Sequence, residues 1–207
     1  MDGNQQLELI KRIKALADTG LVYANDEYDK ERYQELKEIG LQLLSEVTDQ
    51  PLKVLRNFYL PEKDYPTVKV DVRGIVLNER NELLLAKEKI DGKWSIPGGW
   101  ADIGYTPSEV VIKEIEEETG LICSAQRVLA IFDKRMHPHP PQPFYIYKLI
   151  FLCKLEHGEL KHGFDMDGAS FFSIDELPEL SEDRIVVSQL KKLYTLAIEK
   201  DTVTYFD

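Results

Sequence analysis

The sequence has little cysteine, a deficit of basic residues and no long apolar run. Its 207 residues include only two cysteines, Cys123 and Cys153, which excludes a domain held together by many disulfides. Both cysteines lie in apolar, strand-like runs, so we expect buried free thiols and a reducing, cytoplasmic location. No apolar stretch approaches the roughly 18 residues of a membrane-spanning helix, and the polar N-terminal segment is unlike a secretory signal. The sequence therefore predicts no membrane contact.

Charge narrows the range of partners. The chain carries 37 acidic and 26 basic residues, which gives a net charge of −11 at pH 7. This balance argues against binding DNA through a broad basic surface. It suits a protein that handles small anionic ligands where metal ions lie between the ligand and the protein.

Composition changes once along the chain. Residues 1–60 show helical spacing of apolar residues, with one helix that ends at Gly20, a second from about Asn25 and a third from Pro51. These elements predict a small α-helical domain over residues 1–60. The proline-bounded segment LPEKDYP, residues 60–66, is predicted to be a connector.

Beyond the connector the pattern is that of strands. Short apolar runs separated by turn residues continue from residue 67 onward. One amphipathic helix is predicted over about residues 182–199, and another lies within residues 98–121. We therefore predict that residues 67–207 form an α+β domain with a mixed sheet.

The segment 98–121, GGWADIGYTPSEVVIKEIEEETGL, carries clear helix boundaries. Thr106 is a good N-cap, Pro107 suits the first helical position and Glu109 completes a capping box. Gly120 is a normal left-handed terminator. The sequence therefore predicts both ends of this helix from local signals.

Three glutamates of this helix share one face. Glu114, Glu117 and Glu118 stand at i, i+3 and i+4, a spacing at which like charges destabilise a helix by about 0.2–0.5 kcal/mol per pair. A glutamate run alone is typical of a solvated face. The double-glycine loop Gly98-Gly99 favours another interpretation, because it can bring backbone close to the carboxylates. We predict a site for Mg²⁺ or Mn²⁺, which prefer oxygen ligands.

The spacing of this segment resembles the Nudix box, G-x5-E-x7-R-E-U-x-E-E-x-G-U. The matching positions are Gly99, Tyr105, Lys113, Glu114, Ile115, Glu117, Glu118, Gly120 and Leu121. The resemblance implies a Nudix α/β/α sandwich that hydrolyses nucleoside diphosphates linked to another moiety, X. It also implies that the reaction requires a divalent metal ion.

The resemblance assigns individual roles as well. Glu114 and Glu118 would be the principal metal ligands, Glu117 a further ligand, and the Gly98 carbonyl an assisting one. Glu117 is also the predicted general base for attack of water on a phosphorus of the pyrophosphate bridge. Asp165 is the alternative base.

Two positions depart from the family pattern. Tyr105 stands in place of a glutamate, which removes a carboxylate from the periphery of the site and predicts an altered number of bound metal ions. Lys113 stands in place of an arginine, and lysine keeps the charge beside a glutamate but lacks the bidentate fork. These departures leave open a function of another class, a nucleotide sensor with weak catalysis.

The N-terminal segment and the loop FDKRMHPHPPQPFYIYK resemble a bacterial group of Nudix enzymes that carry a helical N-terminal domain. The resemblance implies hydrolysis of CDP-choline to CMP and phosphocholine, a homodimer in which residues 1–60 help to close the pocket, and a secondary 3′–5′ exonuclease activity on RNA. ADP-ribose or another nucleoside diphosphate sugar is the alternative substrate. The predicted substrate-binding residues are Arg73, Trp100, Tyr105, Lys134 and Arg135.

Overall fold

The computed structural model describes residues 3–48, 50–58, 66–102, 104–161, 163–199 and 203–207. The chain divides into two compact units, one of residues 1–68 with 141–144 and the other of residues 69–140 with 145–207. Of the predicted connector at residues 60–66, only Pro66 lies among the described residues. None of the described helices is long and apolar enough to cross a membrane.

The first unit is built from three helices. They are α1 (Gly3–Tyr23), α2 (Glu27–Thr48) and α3 (Leu52–Phe58). α2 contacts both other helices, and α3 begins directly after Pro51. Side chains from all three helices form one small core: Leu7, Ile10, Leu41, Leu44 and Leu55.

The predicted end of the first helix at Gly20 is wrong, since α1 continues to Tyr23. The ring of Tyr33 on α2 packs against Gly20, and a β-carbon at this position would clash with the ring. Glycine in a helix interior costs about 1 kcal/mol relative to alanine. Here it permits the close approach of two helices, which only the packing reveals.

The apolar residues of α2 face two ways. Leu41 and Leu44 are buried in the small core, whereas a second set on the same helix is exposed. This second set recurs at three- and four-residue spacing and therefore lies on one face of the helix. We call it the exposed stripe: Leu36, Ile39, Leu43 and Val47.

The second unit contains eight strands among its described residues. They are β1 (Lys69–Val76), β2 (Leu83–Glu88), β3 (Trp94–Ser95), β4 (Gly98–Trp100), β5 (Leu121–Asp133), β6 (Ile146–Gly158), β7 (Met166–Phe172) and β8 (Tyr205–Phe206). One sheet has the order β4-β1-β6-β5-β8 and the other β3-β2-β7. β1 runs parallel to β6 and antiparallel to β4. The prediction of an α+β fold with a mixed sheet is confirmed.

Two helices complete this unit, α4 (Pro107–Thr119) and α5 (Val187–Ile198). α5 begins later than the predicted start near residue 182. Residues 181–186 form a turn instead, in which the N–H groups of Arg184 and Ile185 donate to the Ser181 carbonyl. Ile185 is fully buried there, so tertiary packing sets the start of the helix.

The two helices of the second unit pack in different apolar cores. Val111 and Ile115 of α4 pack with Val72 of β1 in one core, and Leu190 and Leu193 of α5 belong to the other. Gly74 of β1 lies under α4, where a β-carbon would come 2.7 Å from Ile115 Cδ1. This glycine therefore lets the helix approach the sheet closely.

The two cysteines lie in the core beneath α4, where Cys123 belongs to β5 and Cys153 to β6. Both are free and buried, which confirms the prediction of buried free thiols. Burial raises the pKa of the Cys123 thiol to about 11 and that of Cys153 to about 12. Both thiols therefore act as apolar packing groups.

Candidate active site

Local signals hold α4 at both ends, as predicted. The Glu109 N–H donates to Thr106 Oγ1 at 3.3 Å, and the Thr106 N–H donates to Glu109 Oε2 at 2.7 Å. At the other end Gly120 has φ 75° and donates its N–H to the Glu116 carbonyl. The capping residues therefore set the register of the glutamates along the helix.

The double-glycine loop approaches two of these glutamates. The Gly98 N–H donates to Glu118 Oε2 at 3.0 Å. A β-carbon on Gly99 would come 2.9 Å from Glu114 Oε1. The absence of side chains at these two positions therefore leaves room for both carboxylates beside the loop.

Gly98 also has a backbone conformation that other residues avoid, with φ 141°. A β-carbon there would clash with the Val72 carbonyl oxygen and come 2.6 Å from Arg73 Cα. We expect Gly98→Ala to destabilise the protein by about 2–3 kcal/mol in chemical unfolding, because strain and a backbone clash act together.

Gly104→Ala is the matched control for this prediction. Gly104 also has a positive φ, 94°, but a β-carbon there would meet open space. The control should therefore lose only the conformational part of the stability. If both variants unfold at the same denaturant concentration, close packing around Gly98 is unimportant.

The electrostatics of the two carboxylates favour a cation. Burial raises the pKa of Glu118 to about 8, although Arg73 and the Gly98 N–H oppose this shift. Burial also raises the pKa of Glu114. Both acids lie close to each other beside a loop without side chains, so a hard divalent cation would relieve their repulsion and fits this donor set.

Glu117 is placed differently from its two neighbours. Its side chain is 58% exposed, and its carboxylate pairs with Lys113 Nζ at 3.2 Å. Across the described ranges, no group of three or more His, Cys, Asp or Glu side chains lies close enough to hold a metal ion. The structure thus brings Glu114 and Glu118 together at the loop, and the roles of Glu117 and the Gly98 carbonyl stay predictions.

Arg73 is buried on β1 rather than open to solvent. Its Nε donates to both carboxylate oxygens of Asp71 at 3.1 Å, and its Nη1 donates to the Ile96 carbonyl at 2.9 Å. Lys148 of β6 pairs with the same aspartate. Burial alone would raise the pKa of Asp71, but Arg73 and Lys148 lower it to about 2. The predicted phosphate contact of Arg73 stays a prediction.

The other two predicted cations also have partners within the protein. Lys134 is buried, its Nζ donates to the Asp183 carbonyl at 2.6 Å, and burial lowers its pKa to about 8. Arg135 pairs with Asp133, and its guanidinium lies 5.1 Å from the centre of the Tyr145 ring.

The two aromatic residues that are predicted to contact the substrate are exposed, and a lysine ammonium group lies near each ring. Trp100 is 51% exposed and Tyr105 is 52% exposed. Lys69 Nζ lies 5.6 Å from the centre of the Trp100 ring. Lys113 Nζ lies 5.9 Å from the centre of the Tyr105 ring.

Asp165 lies in the turn before β7, and its side chain is exposed. Its carbonyl accepts the Lys89 N–H at 3.3 Å, and nearby Gly163 donates its N–H to the Glu118 carbonyl at 3.3 Å. The turn therefore contacts the backbone at the end of α4. The role of Asp165 as a base stays a prediction.

Sequence reasoning missed three charged residues that take part in ion pairs with a buried carboxylate: Glu88, Lys148 and Arg184. Glu88 and Lys148 are buried at the ends of apolar strands, and their partners lie far away along the chain. The one available signal was a charge within each apolar run, LLLAKE and KLIFL. Such a signal does not identify the partner.

Comparisons with known families agree with this geometry. Residues 67–192 match the NUDIX domain family. Residues 4–59 match Nudix_N, described as a UDP-X-like, N-terminal oligomerisation domain.

Individual relatives extend the similarity to the whole chain. The chain is 41% identical over 201 residues to Bacillus subtilis YjhB, provisionally named an ADP-ribose pyrophosphatase, and the match covers 97% of this chain and 96% of that protein. A crystal structure of a UDP-X diphosphatase is 31% identical with a TM-score of 0.64 and covers 100% of both chains. An ADP-ribose pyrophosphatase from Streptococcus suis is 36% identical with a TM-score of 0.62, over 68% of this chain and 100% of its own.

Proposed function

We propose that this chain, which belongs to the Nudix family, hydrolyses the pyrophosphate bond of ADP-ribose or a similar nucleoside diphosphate sugar. The family membership makes it a pyrophosphatase that acts on nucleoside diphosphate derivatives. The single observation that carries the proposal is that the carboxylates of Glu114 and Glu118 both lie beside the Gly98-Gly99 loop. The choice of ADP-ribose among the derivatives is our own inference.

The residues of the chain have distinct tasks in this reaction. Glu114 and Glu118 would hold the divalent metal, which when bound activates water and neutralises charge on the phosphate oxygens. The Gly98 N–H orients Glu118 by donating to one of its oxygens. Lys113 holds Glu117 at 3.2 Å, in a position from which an exposed carboxylate can accept a proton.

The aromatic surroundings favour a sugar over choline as the group X. Binding sites for a quaternary ammonium offer open aromatic faces, each worth about 0.5–2 kcal/mol. The rings of Trp100 and Tyr105 already lie near lysine ammonium groups. A choline head would therefore meet like charge at both rings, whereas a neutral ribose would not.

The names of the similar proteins support the same choice. YjhB and the Streptococcus suis protein are both named for ADP-ribose, and the full-length structural match is named for UDP-X substrates. CDP-choline, which the sequence predicts, stays the second candidate.

A substrate panel tests the proposal. We would measure kcat/KM for ADP-ribose, CDP-choline, CDP-glucose, UDP-glucose, NADH and short RNA with Mg²⁺ and with Mn²⁺, and identify the products. The expected result is the highest kcat/KM for ADP-ribose, with AMP and ribose 5-phosphate as products. Preference for CDP-choline would restore the sequence-based prediction, and binding without turnover of any compound would indicate a sensor.

The predicted secondary activity on RNA has less support. Binding of RNA requires a basic surface, and affinity then falls steeply with salt. Lys134 is buried and Arg135 pairs with Asp133, so neither presents an isolated positive charge. We therefore expect turnover of RNA in the panel to be at most weak.

We further propose that the protein is a homodimer formed through its first unit. The exposed stripe of α2 aligns four large apolar side chains on one helix face, and such patches are typical of interaction sites. The match of residues 4–59 to an oligomerisation domain supports the same region. Closure of the nucleotide pocket by this unit stays a prediction from the sequence.

A further inference from the structure

The turn that precedes α5 is held by contacts from three other segments. Ser181 Oγ donates to Asp91 Oδ2 at 2.7 Å. Lys134 Nζ donates to the Asp183 carbonyl at 2.6 Å, and His139 Nδ1 lies 2.6 Å from the Glu182 carbonyl. These contacts fix the backbone directly before Arg184, and Ile185 directly after it is fully buried, so the side chain of Arg184 projects from a rigid support.

Arg184 forms an ion pair with a buried carboxylate. Its Nε lies 2.6 Å from Glu88 Oε1, and Glu88 is only 5% exposed. The Ser95 hydroxyl donates to the same carboxylate oxygen at 2.8 Å. Arg184 Nη1 also donates to Ser181 Oγ at 3.3 Å. The position of the guanidinium is therefore defined by two separate partners.

A short chain of contacts connects this ion pair to the Gly98-Gly99 loop and to Glu118. Ser95 Oγ, which binds Glu88, also accepts from Arg73 Nη1 at 3.4 Å. Arg73 lies opposite Gly98 in the pairing of β1 with β4, and the Gly98 N–H donates to Glu118 Oε2 at 3.0 Å. Arg184 is therefore linked to the loop and to Glu118 through Glu88, Ser95 and Arg73.

Arg184 differs from Arg73 in what its guanidinium can still bind. Arg73 is 6% exposed, and its donors are directed to Asp71 and to the Ile96 carbonyl. The side chain of Arg184 is 26% exposed. Its ion pair and hydrogen bond use Nε and Nη1, and no residue in the described ranges accepts a hydrogen bond from Nη2. Arginine is well suited to bind phosphate through such donors.

We propose that Arg184 contacts the pyrophosphate of the nucleotide through its outer guanidinium nitrogens, and that Glu88 is the positioning residue that aims it. This inference rests on the proposed function, because it assigns a residue to the substrate of the same site. Glu88 holds the inner edge of the guanidinium and leaves the outer edge for the phosphate oxygens. Arg73 then supports the loop from within the protein.

Calorimetric titration of ADP in the presence of Mg²⁺ tests the assignment, with adenosine as the uncharged counterpart. We expect Arg184→Gln to weaken ADP binding at least about tenfold and to leave adenosine binding unchanged, because only the phosphates contact the guanidinium. Arg184→Lys should recover part of the affinity, since it keeps the charge but not the fork. If Arg184→Gln does not fold, the ADP affinity of Arg184→Lys provides the test instead.

The matched control is Arg80→Gln, which removes an arginine paired with Glu82 on the surface at 3.0 Å. Glu88→Gln tests the positioning role. As a single substitution it should weaken ADP binding. Added to Arg184→Gln it should have no further effect, because the effects of substitutions at coupled residues are not additive. Additive effects would overturn the role of Glu88.

The outcomes separate this inference from the proposed function. If wild type binds ADP and the Arg184 variants bind it equally well, Arg184 does not contact the phosphates. If ADP and adenosine affinities fall together, its role is only structural. A wild type that binds no ADP and turns over no compound of the panel would overturn the proposed function and this inference with it.

Discussion

Glu118→Gln is expected to lower kcat by several orders of magnitude while the protein remains folded. The substitution removes the charge that would hold the metal but keeps the shape of the side chain. The amide oxygen of glutamine can still accept the Gly98 N–H, which now lies 3.0 Å from Glu118 Oε2. Because burial raises the pKa of Glu118 to about 8, a neutral group should not destabilise the metal-free protein.

Glu116→Gln is the control, since Glu116 lies on the same helix and its side chain is exposed. It should retain full activity. Full activity of Glu118→Gln at saturating Mg²⁺ would instead show that the metal site lies elsewhere.

Thermal unfolding provides a second measurement of the same site. A metal ion that binds only the folded state stabilises it by mass action. We therefore expect Mg²⁺ or Mn²⁺ to raise the Tm of the wild type more than that of Glu118→Gln. Equal shifts in Tm would mean that the ions act at other positions.

Loss of the proposed dimer is the second large effect that we expect. Ile39 and Leu43 belong to the exposed stripe and are 41% and 37% exposed. Replacing both by lysine should leave the helical core intact, since Leu41 and Leu44 form the buried side of α2. In a symmetric dimer, the introduced lysines of one protomer would face those of the other. The burial of these like charges in the interface would prevent association. Light scattering during gel filtration should then give the mass of a monomer.

Gln42→Lys is the control for this variant, because Gln42 is exposed and lies outside the stripe. It should remain dimeric. A fragment of residues 62–207 should likewise be monomeric, with a raised KM if the first unit helps to close the pocket. A double lysine variant that stays dimeric would place the interface elsewhere.

The sequence alone determined the features that depend on neighbouring residues. The boundaries of α4 follow from Thr106, Pro107, Glu109 and Gly120, whose capping geometry involves residues within a few positions of each other. The shared face of the glutamates follows from helical periodicity. The Nudix resemblance combines these local features in one pattern, which is why the family and the fold could be predicted.

The features that depend on residues far apart in the sequence were decided only by the tertiary structure. Gly20 permits packing against Tyr33 and does not end its helix. Arg73 donates a hydrogen bond to Asp71 within the protein. Glu88 pairs with Arg184, which lies in a turn almost a hundred residues further along the chain. Burial and long-range pairing depend on the whole fold, since charges on different elements have no fixed spacing in sequence. The local pattern therefore predicts the helix that carries the chemistry, and the packing selects the cations that surround it.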